Sequence, residues 1–193
     1  MKLFLARHGE TGAHYASRYI GASDLPLSTT GRLQARRLAT ILPAEISRCL
    51  CSPMLRARET AELALAGRNC RFELLDSLSE INFGRWEGLS FAEIASQDQE
   101  LVVDWQRDAL AFQFPEGEHT LSFWQRIEEA LHWIVALPED SILVICHGGV
   151  IRAMLCSLLG IPFEKYLFFS IKPAALTLLE VDGHCGVLQC LNC

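Results

Sequence analysis

Short apolar runs bounded by turn residues recur along the chain, and they predict the strands of a sheet. Residues 3–6 form one such run, long enough for a single buried strand, and Ser141–Cys146 is the clearest buried strand in the sequence. The other predicted strands are Ile46–Ser52, Phe72–Leu75, Ala175–Val181 and Val187–Leu191, the last two around the turn Asp182-Gly183.

Apolar positions at helical spacing predict helices between these strands. One helix begins at Ser28 or Thr29, one has Ser52 as its N-cap with Pro53 in its first turn, and one follows His147 to about residue 159. An amphipathic helix is predicted over 120–137. The helix that begins at Ser28 or Thr29 has its apolar positions at Leu33, Leu38, Ile41 and Leu42. The helix over 120–137 has them at Leu121, Trp124, Ile127, Leu131 and Ile134.

Strands that alternate with helices predict an α/β fold, a three-layer α/β/α sandwich around a mostly parallel central sheet. The length of 193 residues fits one domain, residues 1–193, that buries its own core. Residues 82–118 are less regular and predict a small lid or insertion. Within it, Ser90 and Glu93 have the spacing of a capping box.

Composition and charge exclude some classes of function. The net charge of −6, with no strongly basic stretch, argues against a nucleic-acid partner but allows a small phosphorylated ligand. No run of eighteen apolar residues exists, so no membrane association is predicted. The first apolar run is too short for a signal peptide, and we therefore expect a cytoplasmic protein.

The eight cysteines are scattered along the chain, and the chain is too long to need a disulfide framework. We therefore expect reduced, mostly buried thiols. The tail Cys185, Cys190 and Cys193 could form a redox pair or bind a metal. It lacks a second CxxC or a His pair at ligand spacing, so no metal and no cofactor are predicted.

Two predicted strands end in the same way, in Arg7-His8-Gly9 and in His147-Gly148-Gly149. The carboxyl ends of parallel strands lie at one edge of a sheet, where ligands bind. Arg56 falls in the first turn of a helix, where backbone amides also point outward. The sequence therefore predicts that two histidines and two arginines surround a pocket for a tetrahedral dianion.

A neutral imidazole near its reference pKa of about 6.5 has a lone pair that can attack phosphorus. Fixed cations must then hold the charge on the phosphoryl oxygens. Arg7, Arg56 and His147 can supply that stabilisation without a metal. The leaving alkoxide needs a proton, and Glu80 is the candidate acid.

Five motifs in order along the chain resemble the histidine phosphatase superfamily, the phosphoglycerate mutase-like proteins. They span residues 3 to about 155, and five in register are a specific signal although each alone is weak. The motifs are Arg7-His8-Gly9-Glu10-Thr11, Gly21 to Leu27, Ser52-Pro-Met-Leu-Arg56 to Ala61, Glu80 to Gly88, and His147-Gly148-Gly149-Val150.

The resemblance implies a phosphoglycerate mutase-like fold and a phosphohistidine formed on His8. It implies that Arg7, Arg56 and His147 form the phosphate pocket and that Glu80 is the general acid, which later activates water. Substrate contacts are expected at Arg7, Gly9, His14, Gly21, Arg56 and Gly148. His14 stands where many members carry Asn and Ile20 where they carry Gln, so these two positions depart from the family pattern.

Two other functions remain open at this point. Residues 146–152 fit C-x₂-G-x₂-R, the loop of a cysteine phosphatase, with Cys146 as the nucleophile. This loop has no hydroxyl after its arginine and leaves Arg7 and His8 unexplained. A non-catalytic phosphate-binding module of the same fold would require a missing catalytic residue, and none is missing.

The predicted lid contains eight acidic residues and only Arg85 and Arg107 as cations, which opposes a second anionic group on the substrate. A phosphate monoester with a neutral or aromatic body suits Trp86, Trp105 and Phe112 better, although these could equally be core residues.

Within the family, the segment from Pro115 to Arg126 and the Glu80 motif most resemble the α-ribazole-5′-phosphate phosphatases, which act late in cobalamin synthesis. His119 departs from that pattern, which has Ser. A broad-specificity phosphatase and a phosphoglycerate mutase are the alternatives. A homodimer is a further expectation.

Overall fold

A computed structural model describes residues 1–193 and contains one six-stranded sheet in the order β3-β2-β4-β1-β5-β6. The first four strands are mutually parallel, β5 is antiparallel to β1, and β6 is antiparallel to β5. The α/β fold with a mostly parallel sheet is thereby confirmed. The strands are β1 (Lys2–Arg7), β2 (Arg48–Cys51), β3 (Arg71–Leu74), β4 (Ser141–Cys146), β5 (Leu176–Asp182) and β6 (Cys185–Cys190).

Helices cover both faces of the sheet, because alternate residues of the central strands point in opposite directions. Leu3 and Leu5 of β1 pack with α5 and α6, whereas Phe4 and Ala6 pack with α1 and α2. This is the predicted three-layer arrangement. The helices are α1 (Thr29–Ile41), α2 (Leu55–Ala64), α3 (Phe91–Gln97), α4 (Gln99–Arg107), α5 (Thr120–Val135) and α6 (Gly148–Leu159), with 3-10 turns at Ala13–Tyr15, Asp76–Leu78, Gly84–Trp86 and Phe163–Phe168.

Several details of the predicted helices are wrong. On α1, Leu33 and Ile41 of the predicted apolar stripe are 60% and 43% exposed. The helix after β2 begins at Leu55 with Met54 as its N-cap, and the hydroxyl of Ser52 accepts from the backbone nitrogen of Met54 and is hydrogen-bonded to His147. On α5, Leu121 is 39% exposed, and Phe123 occupies a buried position that the predicted stripe omitted. In contrast, Ser28 caps α1 as predicted.

The segment 82–118 contains α3 and α4, and Ser90 and Glu93 form the predicted capping box. Trp86 and Phe112 are buried in the main hydrophobic cluster, so they are core residues rather than substrate contacts. The lid role of this segment, the single-domain organisation and the homodimer stay predictions.

The cysteines only partly follow the expectation of reduced, buried thiols. Cys49, Cys51, Cys146 and Cys156 are buried and free, but Cys185 is exposed and Cys190 is paired with Cys193 in a disulfide. No three His, Cys, Asp or Glu side chains are grouped so that they could hold a metal ion. None of the helices combines the length and apolarity needed to span a membrane.

Candidate active site

The carboxyl ends of β1, β4 and β2 place the residues that follow them side by side. Arg7 pairs with Cys146 and Cys51 with Ile145, so the three neighbouring strands end at the same level. The ring centroids of His8 and His147 consequently lie 5.1 Å apart. Two histidines that are 139 positions apart in sequence, from 8 to 147, thus meet at one edge of the sheet.

His8 is held as a neutral imidazole with a defined tautomer. Its Nδ1 lies 2.7 Å from the carbonyl oxygen of Gly9, and because a carbonyl can only accept, Nδ1 carries the hydrogen. Nε2 therefore keeps its lone pair. Burial, together with the charges of Arg56 and Arg7, lowers the pKa of His8 well below its usual range.

His147 is fully buried and hydrogen-bonded through both ring nitrogens. The Nε of Arg56 donates to its Nδ1 at 3.2 Å, and its Nε2 lies 2.7 Å from the hydroxyl of Ser52. Burial and the neighbouring Arg56, His8 and Arg7 lower its pKa well below the usual range. Ser52 is thus a site residue that the sequence interpretation assigned to a helix cap.

Arg56 is a fully buried cation in the first turn of α2, held by a loop. Its Nη1 donates to the carbonyl oxygen of Ser23 at 2.7 Å, and its Nη2 donates to that of Gly21 at 2.8 Å. The loop is in turn held by Glu87, whose carboxylate accepts from the backbone nitrogens of residues 21, 22, 23 and 83. Gly21 therefore positions Arg56 through its carbonyl oxygen, and the substrate contact expected at Gly21 stays a prediction.

Arg7 presents a free donor at the same edge. Its Nη1 donates to the carbonyl oxygen of Ile171 at 2.8 Å, but its buried Nε has no hydrogen-bond partner. A buried N–H without a partner is costly in a folded protein and is common where a ligand completes the site. Burial lowers the pKa of Arg7, and the charge of Glu80 opposes that shift.

The carboxylate of Glu80 lies at the N-terminus of α6. It accepts hydrogen bonds from the backbone nitrogens of Gly149 at 2.9 Å and Ile81 at 3.1 Å. A side chain at position 149 would displace this carboxylate, so glycine there lets Glu80 keep its place against the helix N-terminus. Arg126 fixes the chain beneath it by donating to the carbonyl oxygens of Ser77 and Glu80.

The three remaining predicted contacts, Gly9, His14 and Gly148, lie in different surroundings. The backbone nitrogen of Gly9 donates to the hydroxyl of Thr60, and any Cβ at position 9 would press against the backbone of Gly31. Gly9 is therefore a packing residue beside His8. His14 is exposed in the first 3-10 turn and is not among the residues that line the cavity described below, and the substrate contact expected there stays a prediction. Gly148 lines that cavity, and the substrate contact expected there stays a prediction.

A cavity of about 380 Å³ is lined by Arg7 and Gly148, the residues next to the two histidines in sequence, although neither histidine lines it; it is large enough for a drug-sized ligand. One end is polar and includes Arg7, Glu80, Gly148 and Gly149. The rest of the wall is largely aromatic. Its aromatic residues are Tyr19, Phe83, Phe91, Trp105, Phe114, Phe123, Phe163 and Tyr166.

Residues 3–193 match the profile of the histidine phosphatase superfamily (branch 1). The chain belongs to this superfamily. The family relationship gives the chain its enzyme class: it is a phosphatase whose substrate is a phosphomonoester, and these phosphatases act without a metal.

Similar proteins within the superfamily include several phosphatases. The adenosylcobalamin/alpha-ribazole phosphatase of Salmonella typhimurium is 32% identical, over 100% of this chain and 96% of the relative. Phosphoserine phosphatase 1 of Hydrogenobacter thermophilus is 29% identical, over 100% of this chain and 92% of the relative. The crystal structure of the alpha-ribazole phosphatase from Shigella flexneri is similar with a TM-score of 0.90, at 30% identity and 100% and 96% coverage.

The cysteine-phosphatase alternative does not fit this histidine phosphatase. Cys146 is fully buried in the hydrophobic cluster. Burial raises the pKa of its thiol well above the usual range, so the reactive thiolate is disfavoured at neutral pH.

The lowered pKa values of His8 and His147 predict a stability that falls in mild acid. Below about pH 6.5 the unfolded chain takes up protons that the folded chain refuses, so the free energy of unfolding should decrease as the pH falls. The expected slope is up to about 1.4 kcal/mol per pH unit for each histidine. Urea unfolding between about pH 7.5 and about pH 5 in phosphate-free buffer measures it, and His8→Gln should reduce the slope. A pH-independent stability would contradict the neutral histidine pair.

Proposed function

We propose that this chain hydrolyses α-ribazole-5′-phosphate through a phosphohistidine on His8. The observation that carries the reaction is a buried, neutral imidazole whose Nδ1–H is fixed by a backbone carbonyl, so that Nε2 can attack. The substrate assignment is supported by similarity to the Salmonella and Shigella phosphatases and by the aromatic cavity wall, which suits a planar leaving group.

The first step transfers the phosphoryl group to the enzyme. Nε2 of His8 forms a bond to phosphorus while the ester P–O bond breaks, and the carboxyl group of Glu80 donates its proton to the leaving oxygen. Arg7 and Arg56 stabilise the charge on the phosphoryl oxygens. His147 faces the nucleophile and holds Nε of Arg56 in place.

The second step returns the enzyme to its starting state. The carboxylate of Glu80 takes a proton from water as the water oxygen attacks phosphorus. The P–N bond then breaks, its electron pair returns to Nε2 of His8, and inorganic phosphate is released. The sum is ester plus water giving alcohol plus phosphate.

Initial rates across a panel of esters test the substrate assignment. The panel contains α-ribazole-5′-phosphate, phosphoserine, 3-phosphoglycerate and p-nitrophenyl phosphate. We expect the highest kcat/KM for α-ribazole-5′-phosphate. A higher value for phosphoserine or phosphoglycerate would overturn the assignment, and values within about tenfold of one another would indicate a broad-specificity phosphatase instead.

A further inference from the structure

Arg152 lies on α6, one turn beyond the glycines at the polar end of the cavity, and it lines that cavity. Its Nε donates to the carbonyl oxygen of Phe169 at 2.8 Å, which fixes the direction of the guanidinium. Neither of its terminal nitrogens has a hydrogen-bond partner in the protein, and no carboxylate forms an ion pair with it. A fixed guanidinium with free donors is therefore available to a ligand.

The guanidinium of Arg152 approaches the same point as that of Arg7. A Cβ at position 148 would lie 3.6 Å from Nε of Arg7 and 3.7 Å from Nη1 of Arg152. Two cations so close repel each other, and Arg152 is accordingly one of the groups that lower the pKa of Arg7. A ligand that carries oxygen acceptors past Arg7 and Arg152 would relieve this repulsion.

The cavity wall contains three arginines, Arg7, Arg18 and Arg152. Arg18 differs from Arg152 in its hydrogen bonding. Its Nη1 already donates to the carbonyl oxygen of Gly88 at 2.7 Å and to the carboxylate of Glu93 at 2.8 Å. Its charge is thus compensated within the protein. Arg18 provides a matched control: the same residue type in the same cavity, without free donors on Nη1.

Arg152 lies between the phosphate-binding end and the aromatic wall. Gly148 is on one side and Tyr166 is on the other. Burial raises the pKa of Tyr166 to about 12, and the charge of Arg152 opposes that rise. We propose that Arg152 determines specificity by hydrogen-bonding an oxygen acceptor on the leaving alcohol, within a few bonds of the ester oxygen. In a ribosyl phosphate the acceptors are sugar hydroxyls, and in phosphoserine the acceptor is a carboxylate. The inference rests on the proposed reaction but not on the substrate assignment.

The test compares Arg152→Met on esters with and without such an acceptor. For ribose 5-phosphate or phosphoserine, whichever the wild type prefers, kcat/KM should fall about 10- to 100-fold, the loss typical of a hydrogen bond to a charged group. For phenyl phosphate it should change by less than about threefold, and inhibition by inorganic phosphate should be unchanged. The ester that the wild type prefers identifies whether the acceptor is a hydroxyl, as in ribose 5-phosphate, or a carboxylate, as in phosphoserine.

Arg152→Lys should recover part of the loss, since it restores the charge but not the planar fork. Arg18→Met should leave the ratio of the two kcat/KM values unchanged. Equal losses on both ester types, or no loss on either, would overturn the role of Arg152. Failure of the proposed reaction can be distinguished from failure of the role of Arg152. In the former case, His8→Gln would turn over phenyl phosphate as fast as the wild type does.

Discussion

Replacing His8 with glutamine is expected to lower kcat for every phosphomonoester by a factor on the order of 10⁵, the scale of loss when a covalent nucleophile is removed. No neighbouring group can take over. Both ring nitrogens of His147 are occupied by Arg56 and Ser52, and the thiol of Cys146 is fully buried. Glutamine is close in size, so the fold should be kept. Steady-state rates and trapping of the phosphoenzyme from labelled substrate measure the effect.

The chemical stability of the trapped enzyme supplies the control. A phosphohistidine is lost in acid and survives in base, so the wild type should retain label only after alkaline quenching. Cys146→Ala removes the competing nucleophile and should label like the wild type, with rates within about twofold because the thiol packs in the hydrophobic cluster and the backbone that holds His8 is unchanged. An acid-stable phosphoenzyme that persists in His8→Gln and disappears in Cys146→Ala would refute the histidine mechanism.

The sequence patterns were most reliable where a segment is buried on all sides. Ser141–Cys146 is entirely apolar after its first residue, and its bounds as a strand match the prediction. The meeting of His8 and His147 could also be predicted, since parallel strands end at one edge. Both conclusions need only the local pattern and the rule for parallel sheets.

Residues that support the site through long-range hydrogen bonds could not be assigned in the same way. Ser52 is of a residue type that commonly caps helices and stands just before one, and only the folded chain reveals that its hydroxyl is hydrogen-bonded to His147. Glu87 was visible as part of a motif, but its role in holding the loop at Gly21 depends on packing across 66 positions. His14 was expected in the site from its position after the first motif, and its exposed place in a 3-10 turn leaves that contact a prediction.

The aromatic residues illustrate a different limit. Trp86, Trp105 and Phe112 share the same apolar chemistry, so composition cannot separate core from cavity. In the fold Trp86 and Phe112 are buried, and Trp105 lines the cavity. His119 is equally instructive, because its Nδ1 accepts from the backbone nitrogen of Leu121 at the start of α5. His119 therefore caps α5 through its imidazole, a role that a serine hydroxyl can also fill.

Replacing Glu80 with glutamine should produce a loss that depends on the leaving group. An alkyl ester needs a proton from the carboxyl group, so its rate should fall about 10²- to 10⁴-fold. p-Nitrophenolate leaves without a proton, and formation of the phosphoenzyme from p-nitrophenyl phosphate should remain fast. Hydrolysis of the phosphoenzyme should be slow, because glutamine at position 80 cannot take a proton from the attacking water. Rapid-mixing kinetics should therefore show a burst of p-nitrophenol followed by a slow steady state.

Glutamine at position 80 keeps the acceptor oxygen that can face the backbone nitrogen of Gly149, so the loop beneath it should stay in place. The same substitution at Glu100, which is exposed on α4, should leave the rates within about twofold of the wild type. Equal losses on alkyl and p-nitrophenyl esters without a burst would place the defect in phosphate binding. That result would contradict the role of Glu80 as the proton donor, because the rate loss in Glu80→Gln depends on the basicity of the leaving oxygen only if Glu80 transfers a proton to it.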